Sequence, residues 1–195
     1  MTIPTYDECV QMIKARGWVV HDEPGRLNIL ILRRVPGRLN AFDDMLVIFG
    51  HTAEGARVFF ACRCTADPGK PSREKPRRRD GTAVWAIGQV LDGLMLGYHH
   101  PGTAGAYVCL VPAVPIPVLR FTSLEDQVGD PSTSTTTQIH RASATKDSEV
   151  VGTWSEGCVV VPNPDDYAEV IRLCQASKAS GWKKFTVTCL ERQAA

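Results

Sequence analysis

Between residues 82 and 121 the chain breaks every apolar run with glycine or proline: TAVWAIGQVL, LMLGYHH, AYVCLVP and IPVLRF. Runs this short, punctuated this often, cannot build the turns of a helix bundle and instead predict the strands of a β-rich fold. Upstream, WVVH (Trp18–His21), LNILILRR (Leu27–Arg34), AFDDMLVIFG (Ala41–Gly50) and ARVFFACRCTADPG (Ala56–Gly69) are dense in β-branched and aliphatic residues and read as further strands, with Pro36-Gly37 as a turn. Helical periodicity occurs near both ends. Cys9, Met12 and Ile13 space a helix over Tyr6–Arg16; NPDDYAEVIRLCQASKASG, with Tyr167, Val170, Ile171 and Cys174 on one face, gives a second, and KKFTVTCL a last strand. Pro112, Pro115 and Pro117 assign their segment to an edge or irregular strand, and GDPSTSTTT (Gly129–Thr137) is a loop by composition. No linker, repeat or composition break divides residues 1–195, which predicts one α+β, mainly β domain.

Composition narrows the function classes. With 44% hydrophobic and 22% charged residues the chain reads as globular, and a net charge of +1 gives no nucleic-acid footprint. No apolar run reaches the roughly 18 residues of a membrane span. The start, MTIPTYDECVQMIKARGW, lacks the apolar core of a signal peptide, so cytoplasmic synthesis is the expectation. Seven cysteines at irregular spacing predict reduced thiols, with Cys9, Cys109, Cys174 and Cys189 packed as small hydrophobes. Cys62 and Cys64 lack the histidine or C-x-x-C partners of a zinc site, so no metal or other cofactor is expected. Lys70–Asp80, KPSREKPRRRD, sets six basic residues against two acids; its prolines argue against a helix, and it reads as a solvated loop or an electrostatic handle for an anionic envelope.

The chemistry-bearing stretch is QIHRASATKDSEVVGTWSEGCVVVP, Gln138–Pro162. A thiolate is a strong nucleophile, but a thiol near pKa 8.5 is mostly protonated at neutral pH, and an imidazole brought to it can take the proton and later return it to a leaving amine. His140 and Cys158 stand eighteen residues apart, and Gly157 permits a tight turn before the cysteine. The residues alone leave two readings open: a catalytic pair, or a surface histidine and a buried core thiol.

The order IHRA, then WSEGCVVV, resembles the signature of the L,D-transpeptidase (YkuD-type) catalytic domain. LNILILRR, FDD, TADPG, GYHHPG and AYVCLV precede it in the order of a phage-associated branch of that family. The resemblance covers about Leu27 to Leu190. It implies a β-sandwich with an N-terminal helix and a helix after the cysteine, Cys158 as nucleophile and His140 as base. Ser155 would support the turn, and the Gly157 and Cys158 amides would form an oxyanion hole. It further implies a peptidoglycan stem peptide as substrate. His99 and His100 read as a cleft wall contacting it or as a surface turn, Arg141 and Glu156 are further candidate contacts, and Trp154, beside the turn, reads as a structural lid more than as a substrate contact. Two positions depart from the pattern: Glu156 stands where the family has histidine, and Val160 where it has arginine or asparagine. The expected activity is hydrolysis by an endolysin-like enzyme reaching the wall after release. Cross-link formation and a non-catalytic wall-binding or virion module are the alternatives; a zinc protein using Cys62, Cys64, His99 and His100 is a further class. Asp43 or Asp44 could face a substrate amine, Asp67 reads as a turn-former, Tyr98 as packing, and His21 and His51 receive no role.

Overall fold

The computed structural model describes residues 2–193. Its elements are α1 (Tyr6–Lys14), β1 (Leu27–Val35), β2 (Asp44–His51), β3 (Arg57–Cys64), α2 (Lys70–Glu74), β4 (Thr82–Trp85) and β5 (Gly88–His99). There follow β6 (Tyr107–Pro112), β7 (Ile116–Phe121), β8 (Asp130–Ser134), β9 (Ile139–Arg141), β10 (Val159–Val161), α3 (Pro164–Ala179) and β11 (Lys184–Gln193). The class is α+β, mainly β.

Eight strands form one sheet in the order β10-β9-β6-β5-β11-β1-β2-β3. The sheet curls until its edges meet, where Thr65 and Val160 exchange both backbone hydrogen bonds at 2.9 and 3.0 Å. There closure removes the unpaired edges that strands otherwise present to water. The pairings are antiparallel except β1 with β11 and β9 with β10. A second sheet, β4-β7-β8, is antiparallel throughout.

The continuous apolar runs of β1 and β2 follow from burial on both faces. Leu27, Ile29 and Ile31 of β1 join Leu46 and Ile48 of β2 in the main core, which α3 covers through Tyr167, Val170, Leu173 and Cys174. The opposite face, Leu30, Leu32, Met45, Val47 and Phe49, packs against Cys9 and Ile13 of α1. Burying a side chain of this size is worth roughly 1.5–3 kcal/mol, so the two layers dominate stability. Both helices are capped as their sequences require. Thr5 and Glu8 form a capping box on α1, and Asn163 accepts from the Asp165 and Asp166 amides at α3.

Four expectations need correction. WVVH is not a strand: Val19 exchanges hydrogen bonds with the Gln89 side-chain amide and His21 with that of Asn28, so side chains replace a neighbouring backbone. Gly129–Thr137 is not all loop, since Asp130–Ser134 is β8. β7 is the central strand of its sheet despite Pro117, which sits at its beginning, beyond the last residue paired with β4. Lys70–Asp80 does start a helix, because Pro71 occupies the first turn, where a missing N–H costs nothing.

Candidate functional site

The short parallel pair of β9 and β10 sets Val159 beside Ile139 and Val160 beside His140. Cys158 therefore enters the sheet beside Gln138. Its sulfur accepts a hydrogen bond from the Gln138 N–H at 3.4 Å. Gln138, just before β9, and His140 within it are two residues apart, roughly 6.6 Å of extended chain, a spacing that sends alternate side chains to one face. Val160 and Ala142, on that face, pack with Phe42 and Val151, and Cys158 is half-buried against this cluster.

His140 is only 3% exposed. Its Nδ1 lies 2.8 Å from the Arg141 carbonyl oxygen, which can only accept. In the neutral ring the proton therefore sits on Nδ1, and Nε2 carries the basic lone pair. The Tyr107 hydroxyl, 3.4 Å from Nδ1, also donates to the Arg141 carbonyl at 3.3 Å. The His99 ring stacks on His140 with centroids 4.4 Å apart, and its own Nδ1 is 2.6 Å from Gln138 Oε1. His100, exposed and at φ 47°, tilts against His99. The Arg141 guanidinium lies 4.0 Å over the Tyr107 ring. The imidazole is thus held in one orientation by His99, Tyr107 and the Arg141 carbonyl, with Gln138 fixing His99 in turn.

Among the described residues, Nε2 has no hydrogen-bond partner and the sulfur has only the Gln138 amide. The resting pair is neutral. Burial pushes the Cys158 thiol up to about 11, with Glu156 adding to the rise against the Gln138 N–H. Burial lowers His140 to about 4, opposed by its hydrogen bond to Arg141 and aided by His99 and His100. An imidazole that holds its proton so weakly does not keep a thiolate in the free state, and among the described residues no hydrogen bond joins His140 to Cys158.

The turn before the cysteine is locked by Ser155, whose buried hydroxyl donates to the Cys158 carbonyl at 2.7 Å and accepts from the Gly157 N–H at 3.2 Å. That second bond corrects the oxyanion-hole expectation, because the Gly157 amide is already engaged. The Cys158 N–H, without a protein acceptor among the described residues, is the donor left open. Gly157 has φ +124°, and a Cβ there would lie 2.7 Å from the Ala83 carbonyl oxygen, so only glycine lets the turn approach β4. Glu156 points outward and pairs with Arg77 Nε at 2.9 Å. Trp154 is 44% exposed beside the turn.

A pocket of about 210 Å³ opens at the sulfur. Gly157, Cys158 and Glu156 form one wall, and Ala83, Arg120 and Thr137 of the small-sheet region face them. Arg77 and Arg78 of the basic segment close it. His140 does not line it. The basic segment is not a free tail: Lys70 pairs with Glu74, Arg78 with Asp80, and Arg73 lies over the Phe121 ring.

Other sequence candidates fall elsewhere. Asp44 is buried and accepts from the Arg34 and Ala66 amides, and Asp43 accepts from the Arg38 amide, so both fasten the β1–β2 connection and face no substrate. Asp67 exchanges hydrogen bonds with Thr65 and pairs with Arg33. Tyr98 is 57% exposed and does not pack. His21 bonds Thr186, and His51 lies 3.3 Å from Asp22. Cys9, Cys62, Cys64, Cys109, Cys174 and Cys189 are buried, and no cluster of metal-ligating side chains occurs among the described residues. Sequence reading missed Gln138, Tyr107, Arg120 and Thr137. Gln138 carried one signal, since it abuts His140 on the same strand face; the others become visible only through strand pairing. No helix among the described residues is long and apolar enough to cross a membrane. Comparison with protein-family models, curated proteins and solved structures found no match.

Proposed function

We propose that the protein is a cysteine peptidase of L,D-transpeptidase type, with that family's β architecture, cleaving peptidoglycan stem peptides. The observation that carries this reading is the oriented His140, its Nε2 without a hydrogen-bond partner among the described residues, two residues after the Gln138 amide that donates to the Cys158 sulfur. In the reaction His140 Nε2 takes the thiol proton as sulfur attacks the carbonyl carbon at the L-centre of a diamino acid. The oxyanion faces the Cys158 N–H. Collapse of the tetrahedral adduct breaks the C–N bond, and the amine leaves with the proton from Nε2, giving a thioester. Water, deprotonated by the same nitrogen, then releases the acid and restores the thiol. Arg77, Arg78 and Arg120 beside the sulfur disfavour an ammonium-bearing acceptor, which supports hydrolysis over cross-linking. Lys75 and Arg79, both exposed, are the groups left to touch an anionic envelope. The protein acts on the wall after release from the cytoplasm.

The test is digestion of purified peptidoglycan by wild type and Cys158→Ala, with fragments identified by mass spectrometry. Fragments produced by wild type and absent with the variant support the reading; equal digestion by both overturns it.

A further inference from the structure

The β3 edge of the large sheet is closed only just past its end, where Thr65 and Val160 exchange both backbone hydrogen bonds. Both backbone groups of Thr65 therefore point away from β2. Antiparallel pairing alternates such residues along a strand, and the β2–β3 register runs unshifted from Asp44–Cys64 to His51–Arg57. The N–H and C=O of Arg57, Phe59, Ala61 and Arg63 thus face outward as well. Among the described residues none of these groups has a hydrogen-bond partner. The Arg63 side chain bridges the edge to Asp147, between β9 and β10, at 2.9 Å, so the open stretch is Arg57–Ala61, centred on Phe59. Beside it lies a groove of about 600 Å³, walled by Val58, Phe59 and Phe60 on one side and by Glu169, Leu173 and Ala176 of α3 on the other. An edge strand is normally guarded by proline, lysine or a bulge. β3 has none of these, and its two arginines are engaged within the chain by Asp7 and Asp147. Phe59 is 38% exposed.

We propose that the Arg57–Ala61 edge is a self-association site, where β3 of a second copy of this chain adds antiparallel about a two-fold axis through Phe59. Such a contact is isologous, the same surface serving both copies. It gives every outward N–H and C=O of Arg57, Phe59 and Ala61 a partner. Phe59 meets its own counterpart, a favourable aromatic pair, and Arg57 meets Ala61 of the second copy. Arg63 of the second copy comes opposite Gly55, beside the Glu54 carboxylate, so opposite charges meet at the ends of the paired stretch. A register centred on Phe60 instead would oppose Arg57 to Arg63, and like charges directly opposite are destabilising. The association uses no residue of the cysteine site and does not depend on the peptidase reading.

Sedimentation velocity of the full chain, kept reduced, tests the contact. The mass should rise from 21.4 kDa towards twice that value as the concentration approaches roughly 1 mM, the range of a weak association. Ala61→Pro removes an outward N–H that the β2 ladder does not use, and Phe59→Asp sets two like charges on the axis. Each should raise the dimer dissociation constant by about tenfold or more. Should Ala61→Pro fail to fold, Phe59→Asp, at an exposed position, decides. Cross-linking under mild oxidation reads the register. Phe59→Cys places two thiols on a directly opposed pair, roughly 5.5 Å between Cα atoms and within disulfide reach. Arg57→Cys places them roughly 13 Å apart along the strand, beyond it. The linked dimer, identified by mass spectrometry, should form about tenfold faster or more through position 59 than through position 57. A chain that stays monomeric at every concentration, a dimer indifferent to the folded variants, or faster cross-linking through position 57 overturns the site.

Discussion

The neutral state of the Cys158–His140 pair makes alkylation and turnover respond differently to pH. With the thiol near 11, the thiolate fraction at pH 7 is roughly 10⁻⁴, against roughly 3% for a free thiol near 8.5. Neutral iodoacetamide should therefore label Cys158 roughly 300-fold more slowly than free cysteine at pH 7. The rate should climb about tenfold per pH unit from 6 to 10. His140 is neutral above about 4, so kcat/KM for a soluble stem peptide should stay flat over the range where labelling rises steeply. His140→Ala should cut kcat/KM by roughly 100-fold or more, the scale of general-base loss, while leaving the labelling rate within about twofold. Labelling is followed by mass spectrometry of the Cys158 peptide, and the other six cysteines are buried. A labelling plateau between pH 5 and 8 that disappears in His140→Ala would mean a preformed thiolate–imidazolium pair, and the argument from burial would fail.

Three further outcomes follow from the same geometry. Ser155→Ala removes the bonds to the Cys158 carbonyl and the Gly157 amide, so denaturant unfolding should show a loss of about 1–3 kcal/mol and turnover should fall with it. Gly157→Ala places a Cβ 2.7 Å from the Ala83 carbonyl oxygen at φ +124°; a loss of at least about 2 kcal/mol is expected, and a fully stable variant would contradict the close approach of turn and β4. His140 titrates near 6.5 when unfolded and near 4 when folded, so between those values the unfolded chain binds more protons and stability declines as pH falls. The gap of about 2.5 pH units corresponds to at most about 3 kcal/mol, and a His140→Asn variant followed by thermal unfolding at pH 7 and 4 should lack that share of the acid sensitivity.

Most of the fold was legible because burial writes itself into the sequence. β1 and β2 have apolar residues at nearly every position since both faces are covered, and α1 and α3 carry one buried face and correct caps. Reading failed where local pattern and pairing part company. WVVH has strand composition but finds side-chain amides as partners. DPSTS has loop composition and becomes a strand because β7 offers an edge, its ladder running from Ile116–Ser134 to Arg120–Asp130. TAVWAIGQVL reads as one run yet serves two sheets, β4 in the small one and β5 in the large one. In each case the deciding partner lies outside the local pattern, 70 residues away for Val19, 10 to 18 for β8 and 33 to 39 for β4, beyond what periodicity can report.

The site divides along the same line. His140, Ser155, Gly157 and Cys158 were singled out by resemblance to a family signature, since the residues alone leave two readings open; β9–β10 pairing sets Val160 beside His140 and so brings the cysteine turn to the start of β9. The pocket wall left no pattern, because it is assembled from three separate stretches. Its attachment to the cysteine turn is nonetheless specific. The Gly69 amide donates to the Ser155 carbonyl at 3.0 Å. A Cβ on Gly69 would overlap the Gly152 carbonyl, so the two backbones meet where no side chain fits. The Asn40 side-chain oxygen accepts from the Gly152 amide at 2.6 Å and from the Lys70 amide at 3.4 Å. These contacts tie the start of the basic segment to the loop that carries the cysteine. Arg77 is then held against Glu156 at the end of the segment, and Asp80 brings Arg78 towards Arg120. Backbone bonds anchor the start of the basic segment and ion pairs to Glu156 and Asp80 fasten its end, which keeps Arg77 and Arg78 at the cysteine turn although both are exposed.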